Sequence, residues 1–390
     1  MILQYNVYYK NNSKYFIKKK FESNIDKINS VVFDCDGVLI NCTNSYNRNI
    51  GLTINKLFKL LIINDIPVKL ISASLIDNIR MSGGFNNDWN TTYILSLKIL
   101  SLSSKDFLNK FGNVLKIANS NYVNDPYARI SYVRREMKPF KDKFYNKNIM
   151  NIDQKLFSFV KKFDESGIKS AEKKIFPYVN EKNNTLYQFK TFLGHPGKFD
   201  NNVIAILFDE LFYGPQLYYK IHNNQRKLTT TKGSINSEKI LLDKKQINSV
   251  VKLFGKNNIG IASGRGSVGA FYTLKGFKKY FNPNACIFLE DMYEQQLKNK
   301  SIAKPSPYSL ITVSKSLSKK GKILYVGDST EDILMTKKAN KKSNRFVFAA
   351  IYGGSRVAKK DQVFQYLGAD IIVKNVNDLL HLIGDYCAIR

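Results

Sequence analysis

Apolar and polar positions alternate at the start of the chain: Ile2, Tyr5, Val7 and Tyr8, then Tyr15 and Ile17, around Asn11-Asn12-Ser13. A period of two on either side of a turn predicts a β-hairpin extension over residues 1–29. Ser30 to Phe33 is a short apolar run and predicts a strand, Asp34 to Gly37 a turn, and apolar spacings of three and four predict a helix from about Ser45 to Ile62. The same helical spacing dominates residues 46 to about 235, for example Thr91–Ser101, Ser104–Ala118 and Gln154–Phe163, with loops rich in Asn and Gly between. From about Glu238 the pattern changes. Helices at 238–254, 266–279, 306–319, 330–339, 361–367 and 376–383 alternate with apolar strands at 258–262, 285–289, 322–326, 345–351 and 370–373.

That alternation predicts an α/β fold whose mostly parallel sheet is covered on both faces. The strand near residue 32 belongs to the same sheet although it is remote in sequence. The expected organisation is therefore an α/β core from residues 30–45 and 236–390, interrupted by a helical insertion at 46–235.

Composition adjusts this picture only slightly. Of 390 residues, 44% are hydrophobic and 24% charged, an ordinary balance for a globular chain large enough to bury a core without staples. No apolar run approaches the roughly 18 residues of a membrane span; Leu57 to Ile63 is interrupted by Lys59. The N-terminus lacks the basic-then-apolar order of a signal peptide, so the expectation is a cytoplasmic protein with no membrane partner. Cys35, Cys42, Cys286 and Cys387 form no C-x-x-C pair, and with three histidines they offer no zinc-like inventory; scattered buried thiols are expected. Sixty-one basic against 31 acidic residues give a net charge of +30. Such a charge attracts phosphates, nucleic acid and anionic surfaces. A chain rich in Lys, Asn, Ile, Tyr and Phe acquires the same charge from compositional bias alone, and runs such as Lys18-Lys19-Lys20 and Lys359-Lys360 are short.

Four segments carry chemistry, each at or beyond the C-terminal end of a predicted strand, where open α/β sheets place their ligand crevice. In Val31-Val32-Phe33-Asp34-Cys35-Asp36-Gly37 two carboxylates leave an apolar strand two residues apart. Asp34 can attack phosphorus as a nucleophile, Asp36 can serve as acid and then base, and Gly37 permits a tight turn. In Ala262-Ser263-Gly264-Arg265 a hydroxyl precedes a helix start and can hold phosphate oxygens with nearby N–H groups; alone, the segment reads as an ordinary N-cap. Lys304, before Pro305, can bring positive charge to Asp34 and to a transferring phosphoryl group, or be one more surface lysine. In Val326-Gly327-Asp328-Ser329-Thr330-Glu331-Asp332, Asp328 and Asp332 lie one helical turn apart; such hard oxygen donors suit Mg2+, and acidic residues also favour a helix N-terminus.

The four together resemble the motifs of the haloacid dehalogenase superfamily, and they frame the whole α/β core. The resemblance implies a Rossmann-like core, a mainly helical cap inserted between the first and second motifs, and Mg2+-dependent phosphatase chemistry through an aspartyl-phosphate. It makes Asp34 the nucleophile and Asp36 the acid/base. Ser263 and Lys304 would bind the phosphoryl group, and Asp34, the Asp36 carbonyl and Asp328 would hold Mg2+, with Asp332 a ligand or an orienting neighbour. Asp36 favours phosphoryl chemistry over dehalogenation. Gly83-Gly84-Phe85-Asn86-Asn87-Asp88-Trp89 and Phe208-Asp209-Glu210-Leu211-Phe212-Tyr213-Gly214 resemble an archaeal and cyanobacterial subgroup described as phosphoglycolate-phosphatase-like.

Asn86, Asn87, Asp88 and Trp89 can form a polar lip over a substrate or a packing cluster, and Gly83 and Gly84 can simply end a helix. Gly264 and Arg265 are candidate substrate contacts, with an acidic partner the other reading of Arg265. His195 reads as structural. The expected partner is a small phosphorylated metabolite: phosphoglycolate, histidinol phosphate, a sugar phosphate and a nucleotide stay open. A phosphomutase and a nucleic-acid-binding or end-processing protein are the competing readings; no recognisable nucleic-acid-binding motif is present.

Overall fold

A computed structural model describes residues 5–10, 13–62, 71–85, 87–143, 151–175, 184–194, 201–225, 227–296, 302–353 and 360–388. Ile2, Asn11, Asn12, Asn86, His195 and Lys359 lie outside the described residues. The chain forms two compact units, one from residues 1–42 with 238–390 and one from residues 43–237.

The strands of the first unit, in chain order, are β1 (Tyr5–Lys10), β2 (Ser13–Lys18), β3 (Ile28–Phe33), β4 (Ile40–Asn41), β5 (Lys239–Ile240), β6 (Ile259–Ala262), β7 (Cys286–Ile287), β8 (Lys322–Gly327), β9 (Phe346–Ile351) and β10 (Ile371–Val373). Among the described residues, eight of them build one sheet in the order β1-β2-β10-β9-β8-β3-β6-β7. The strands from β10 to β7 are mutually parallel. Successive residues of β8 serve opposite faces: Leu324 and Val326 join one buried cluster, Ile323 and Tyr325 the other. A strand covered on both sides has no polar face to show, which is why these strands read as continuous apolar runs.

The N-terminal hairpin is part of this sheet. β1 pairs antiparallel with β2, and β2 pairs antiparallel with β10 through Ile17 with Ile371 and Phe16 with Ile372. Ile17 faces one core cluster and Phe16 the other, so the hairpin extends the sheet's edge.

Several expected boundaries change; the helices expected at 266–279 and 306–319, for example, are Ser267–Leu274 and Tyr308–Ser314. The helix expected from 238 begins at Lys244, because Asp243 and Gln246 cap it reciprocally at 2.8 and 2.7 Å. The preceding Lys239–Ile240 pairs instead with Ile40–Asn41 as a separate two-stranded ribbon. The strand expected to reach 289 ends at Ile287, and a helix that the pattern did not predict, Leu289–Gln296, follows where Asp291 accepts the Phe288 N–H at 2.8 Å. Of the thiols expected to be buried, Cys35 is, whereas Cys42 and Cys286 are half-buried.

The second unit is helical in its described residues. Its long opening helix, Tyr46–Ile62, packs on Val203–Tyr213, where Asn49 donates to the Phe208 carbonyl at 2.9 Å. Phe58, Phe111, Phe189 and Phe192 lie within its buried apolar core. Among the described residues no helix is long and apolar enough to cross a membrane.

Candidate active site

Sheet register decides which side chains meet. Phe33 pairs with Ile261 on one side and Val326 on the other. Asp34, Ser263 and Asp328 therefore leave three adjacent strands within one or two residues of the same row. The chain runs from β3 to β6 and β7 on one side, then returns to β8 on the other, so β3 is the point where strand order reverses. Ligand crevices form at such points.

The backbone after Asp34 turns tightly. The Cys35 carbonyl accepts the Leu39 and Ile40 N–H groups at 2.8 and 2.9 Å, and the Gly37 N–H donates to the Ile40 carbonyl at 2.9 Å. Gly37 has φ of +74°, and a Cβ there would land on the Asp328 carboxylate. Glycine is thus required twice, for the left-handed backbone and for the close approach.

Asp34 is 7% exposed. Its Oδ1 accepts the Cys35 N–H at 2.8 Å, and its Oδ2 lies 3.0 Å from Lys304 Nζ. Lys304 also reaches Asp332 Oδ1 at 2.8 Å, so one buried ammonium bridges two carboxylates. Asp332 is fully buried and accepts from five donors: Lys304, the Tyr325 hydroxyl, the Asp328 and Ser329 N–H groups and the Ser329 hydroxyl. Asp328, half-buried, pairs with Lys360 at 3.1 Å.

Charge is unevenly distributed over these carboxyls. Burial pushes the Asp34 carboxyl up to about 7; Lys304 opposes this, and the neighbouring Asp332, Asp36 and Asp328 add to it. Burial likewise raises Asp328 against the pull of Lys360. Burial also acts to raise Asp332, but Lys304 and the hydroxyl donors outweigh it and hold that group below its ordinary value. Lys304 would be lowered by burial, yet Asp332 and Asp34 keep it well above the usual lysine range.

Asp36 and Arg265 form a second network. Arg265 is buried; it donates to Asp36 Oδ1 and to Glu238 Oε2, each at 2.6 Å. Glu238 also accepts the Thr273 hydroxyl at 2.6 Å. Of the two readings of Arg265, the acidic partner is in place. Ser263 is buried beside β7, its N–H on the Ile287 carbonyl at 3.0 Å, and its hydroxyl accepts the Arg265 N–H at 3.3 Å rather than capping the helix Ser267–Leu274. A Cβ on Gly264 would meet open space.

Oxygens of Asp34, Asp328 and Asp332 lie within 4.8 Å of one another, so this group can hold a metal ion. The donors are hard oxygens, which suit Mg2+ or a similar ion. Asp332 already accepts five hydrogen bonds, so Asp34 and Asp328 have more coordinating capacity to spare.

Asn87, Asp88 and Trp89 each have a partner within the helical unit. Asn87 caps the helix Asp88–Leu100. Asp88 pairs with Arg80 at 3.0 Å, and Trp89 Nε1 donates to Asp209 Oδ1 at 3.2 Å. The two sequence phrases singled out in this unit are thereby joined, with His222 Nε2 on Asp209 Oδ2 at 2.9 Å. Gly83, at φ +79°, follows the end of the helix Ala73–Met81, and Gly84 lies against the Gly167 backbone. Phe85 stacks on Phe163 at 4.7 Å.

Sequence reasoning missed Tyr325, Glu238 and Lys360. A lone hydroxyl inside an apolar strand was a usable signal for Tyr325. Lys360 was masked by a charge run, and nothing local marked Glu238.

No protein-family model matches the chain, and no curated protein matches its sequence. Solved structures do match. The X-ray structure of a Northeast Structural Genomics Consortium target, ZR25, is 17% identical, with a TM-score of 0.65 over 93% of this chain and all of that one. Phosphatase Tt82 from Thermococcus thioreducens is 17% identical, with a TM-score of 0.48 over 87% of this chain and 99% of that one. The first likeness shows a shared fold across nearly the whole chain.

Proposed function

We propose that the protein is a phosphatase of the haloacid dehalogenase type that hydrolyses a small phosphomonoester with the help of Mg2+. The carrying observation is the convergence of Asp34, Lys304, Asp328 and Asp332 at one sheet edge, in the motif order of that superfamily. A buried nucleophilic carboxylate touching a lysine and flanked by metal-competent carboxylates suits phosphoryl transfer, where positioning and charge neutralisation supply most of the catalysis.

In this mechanism an Asp34 oxygen attacks phosphorus in line and the P–O bond to the leaving group breaks. Asp36 gives its proton to the departing oxygen. The aspartyl-phosphate is then attacked at phosphorus by water, whose proton passes to Asp36; inorganic phosphate leaves and the Asp34 carboxylate is restored. Lys304 holds the phosphoryl oxygens and keeps Asp34 aligned, Ser263 offers its hydroxyl to another, and Asp332 fixes Lys304. Arg265, anchored on Glu238, sets where Asp36 stands. A bound Mg2+, held by Asp34, Asp328 and the Asp36 carbonyl, would supply charge neutralisation for the phosphoryl group.

The test is phosphate release from a panel of phosphorylated metabolites with Mg2+, run beside EDTA and an Asp34→Asn variant. Release that disappears in both controls supports the reading, and the best substrate names the leaving group the protein accepts. Substantial release by Asp34→Asn removes Asp34 as the nucleophile.

A further inference from the structure

The edge of the sheet opposite Asp34 carries charge of the other sign. Four segments, made of helix ends and 3-10 turns as well as loops, bring the chain to β6, β7, β8 and β9 at residues 255–258, 275–285, 315–322 and 337–345. Together they hold thirteen lysines and arginines and no aspartate or glutamate. The whole chain carries 61 basic against 31 acidic residues, so its composition alone would place about one acid there for every two cations. Compositional bias accounts for the sum of the charge but not for this placement.

These segments form one continuous surface. Ser318 N–H donates to Asn258 Oδ1 at 3.0 Å, and Asn282 Nδ2 bridges the Asn257 and Ser316 carbonyls at 2.8 and 3.0 Å. Lys322 reaches the Asn344 carbonyl at 2.6 Å, and Arg345 donates to the Ser318 carbonyl. Bonds between backbone and side chains, those of Lys322 and Arg345 included, thus fasten the segments to one another and leave Lys256, Lys279, Lys319, Lys320, Lys341 and Lys342 exposed. The approaches to β3 and β10 at the same edge add Lys27, Asp26 and Asp370, and Asp370 lies within electrostatic reach of Lys322 and Lys337, so the edge stays strongly basic but is not free of acids.

We propose that this basic edge docks a nucleic-acid duplex through its phosphates, without reading sequence. Five strands about 4.8 Å apart give an edge roughly 19 Å wide. A duplex carries a phosphate about every 1.7 Å of axis, so the edge faces on the order of ten phosphates. The lysines are interleaved with asparagine and serine, donors suited to phosphate oxygens. A single strand would need aromatic platforms for its bases, and a membrane would need an apolar wedge. No exposed large apolar or aromatic side chain lies in the four segments.

The experiment measures binding of the full chain to a mixed-sequence duplex, the matching single strand and phosphatidylserine vesicles across a salt series. One variant reverses Lys319, Lys320, Lys341 and Lys342 to Glu. A control reverses four exposed lysines of the helical unit (Lys105, Lys116, Lys161 and Lys173), an equal change in net charge. The edge variant should keep its melting temperature, lose duplex affinity by at least about tenfold and show a salt slope shallower by three to four, about one per lost phosphate contact. The control should change affinity by less than about threefold. Equal losses in both variants assign binding to the overall field and overturn the docking edge. So do absent duplex binding, tighter binding to the single strand, or binding to vesicles alone. Phosphatase activity enters none of these readouts, so this proposal and the reading of the active site fail separately.

Discussion

Asp34 and Asp209 are buried almost equally, 7% and 8% exposed, one in each unit, and burial raises both carboxyls. Their surroundings differ. Asp209 is answered by His222 and Trp89, at 2.9 and 3.2 Å. Asp34 is answered by the Cys35 N–H and by one lysine that it shares with Asp332, while Asp36 and Asp328 add further negative charge nearby. A buried acid matched by its own donors fastens helices. A buried acid crowded by other acids stores unfavourable charge that a cation can relieve. Carboxyls perturbed in that way cluster at functional sites.

The largest expected effect follows from removing that charge. Asp34→Asn should lower kcat by at least about a thousandfold, because an amide is a poor nucleophile, while leaving the fold intact. Stability should respond to pH as well. With the folded carboxyl raised to about 7 from an ordinary 3.8, the folded state keeps its proton where the unfolded state has lost it. The stability it contributes is present below the unfolded value and is lost as pH rises through about 7. In EDTA, melting temperature should therefore fall more steeply between those values for wild type than for Asp34→Asn. Parallel curves would show that Asp34 carries no stored charge.

Next comes Asp332→Asn. An amide nitrogen in place of Oδ2 would confront the Asp328 and Ser329 N–H groups, and Lys304 would lose half its neutralisation. Breaking such a buried network costs about 3–5 kcal/mol, and kcat should fall on the order of a hundredfold with it. A loss of activity with unchanged denaturant midpoint would mean that Asp332 acts directly on substrate. Gly37→Ala should have a smaller reach. Its Cβ displaces the Asp328 carboxylate, so Mg2+ should raise the melting temperature less than in wild type, with about 1–3 kcal/mol of stability lost to strain. An unchanged Mg2+ shift would remove Asp328 from the ligand set.

How far these sites were legible depended on their distance in sequence. The parallel sheet was readable because each central strand is buried on both sides, and Asp34, Ser263 and Asp328 were readable because strand ends announce themselves in apolar runs, whereas Lys304, in a turn beyond the helix Leu289–Gln296, was readable only as one of four motifs in order. The β4–β5 ribbon was not, because two-residue strands carry no periodicity. Nor was the Arg265–Glu238 pair, since nothing local distinguishes one surface glutamate from one that a distant buried arginine requires. In the helical unit, the phrases around Trp89 and Asp209 stood out as words, but their bond to each other spans 120 residues and only the fold displays it.

The smallest expected effect tests the other half of the comparison. Asp209→Asn keeps one acceptor for Trp89 and removes the charge facing His222. If Asp209 fastens helices, the variant should lose about 1–3 kcal/mol, the cost of disturbing a buried hydrogen-bonded group, while kcat moves less than about threefold. Trp89→Phe removes the other donor and should lose about 1 kcal/mol. Because the two residues share one bond, the double variant should cost less than the sum of its parts. Additive losses would mean the 3.2 Å contact contributes nothing. A kcat that collapses in Asp209→Asn while the fold persists would erase the contrast with Asp34 and place this carboxylate in the chemistry.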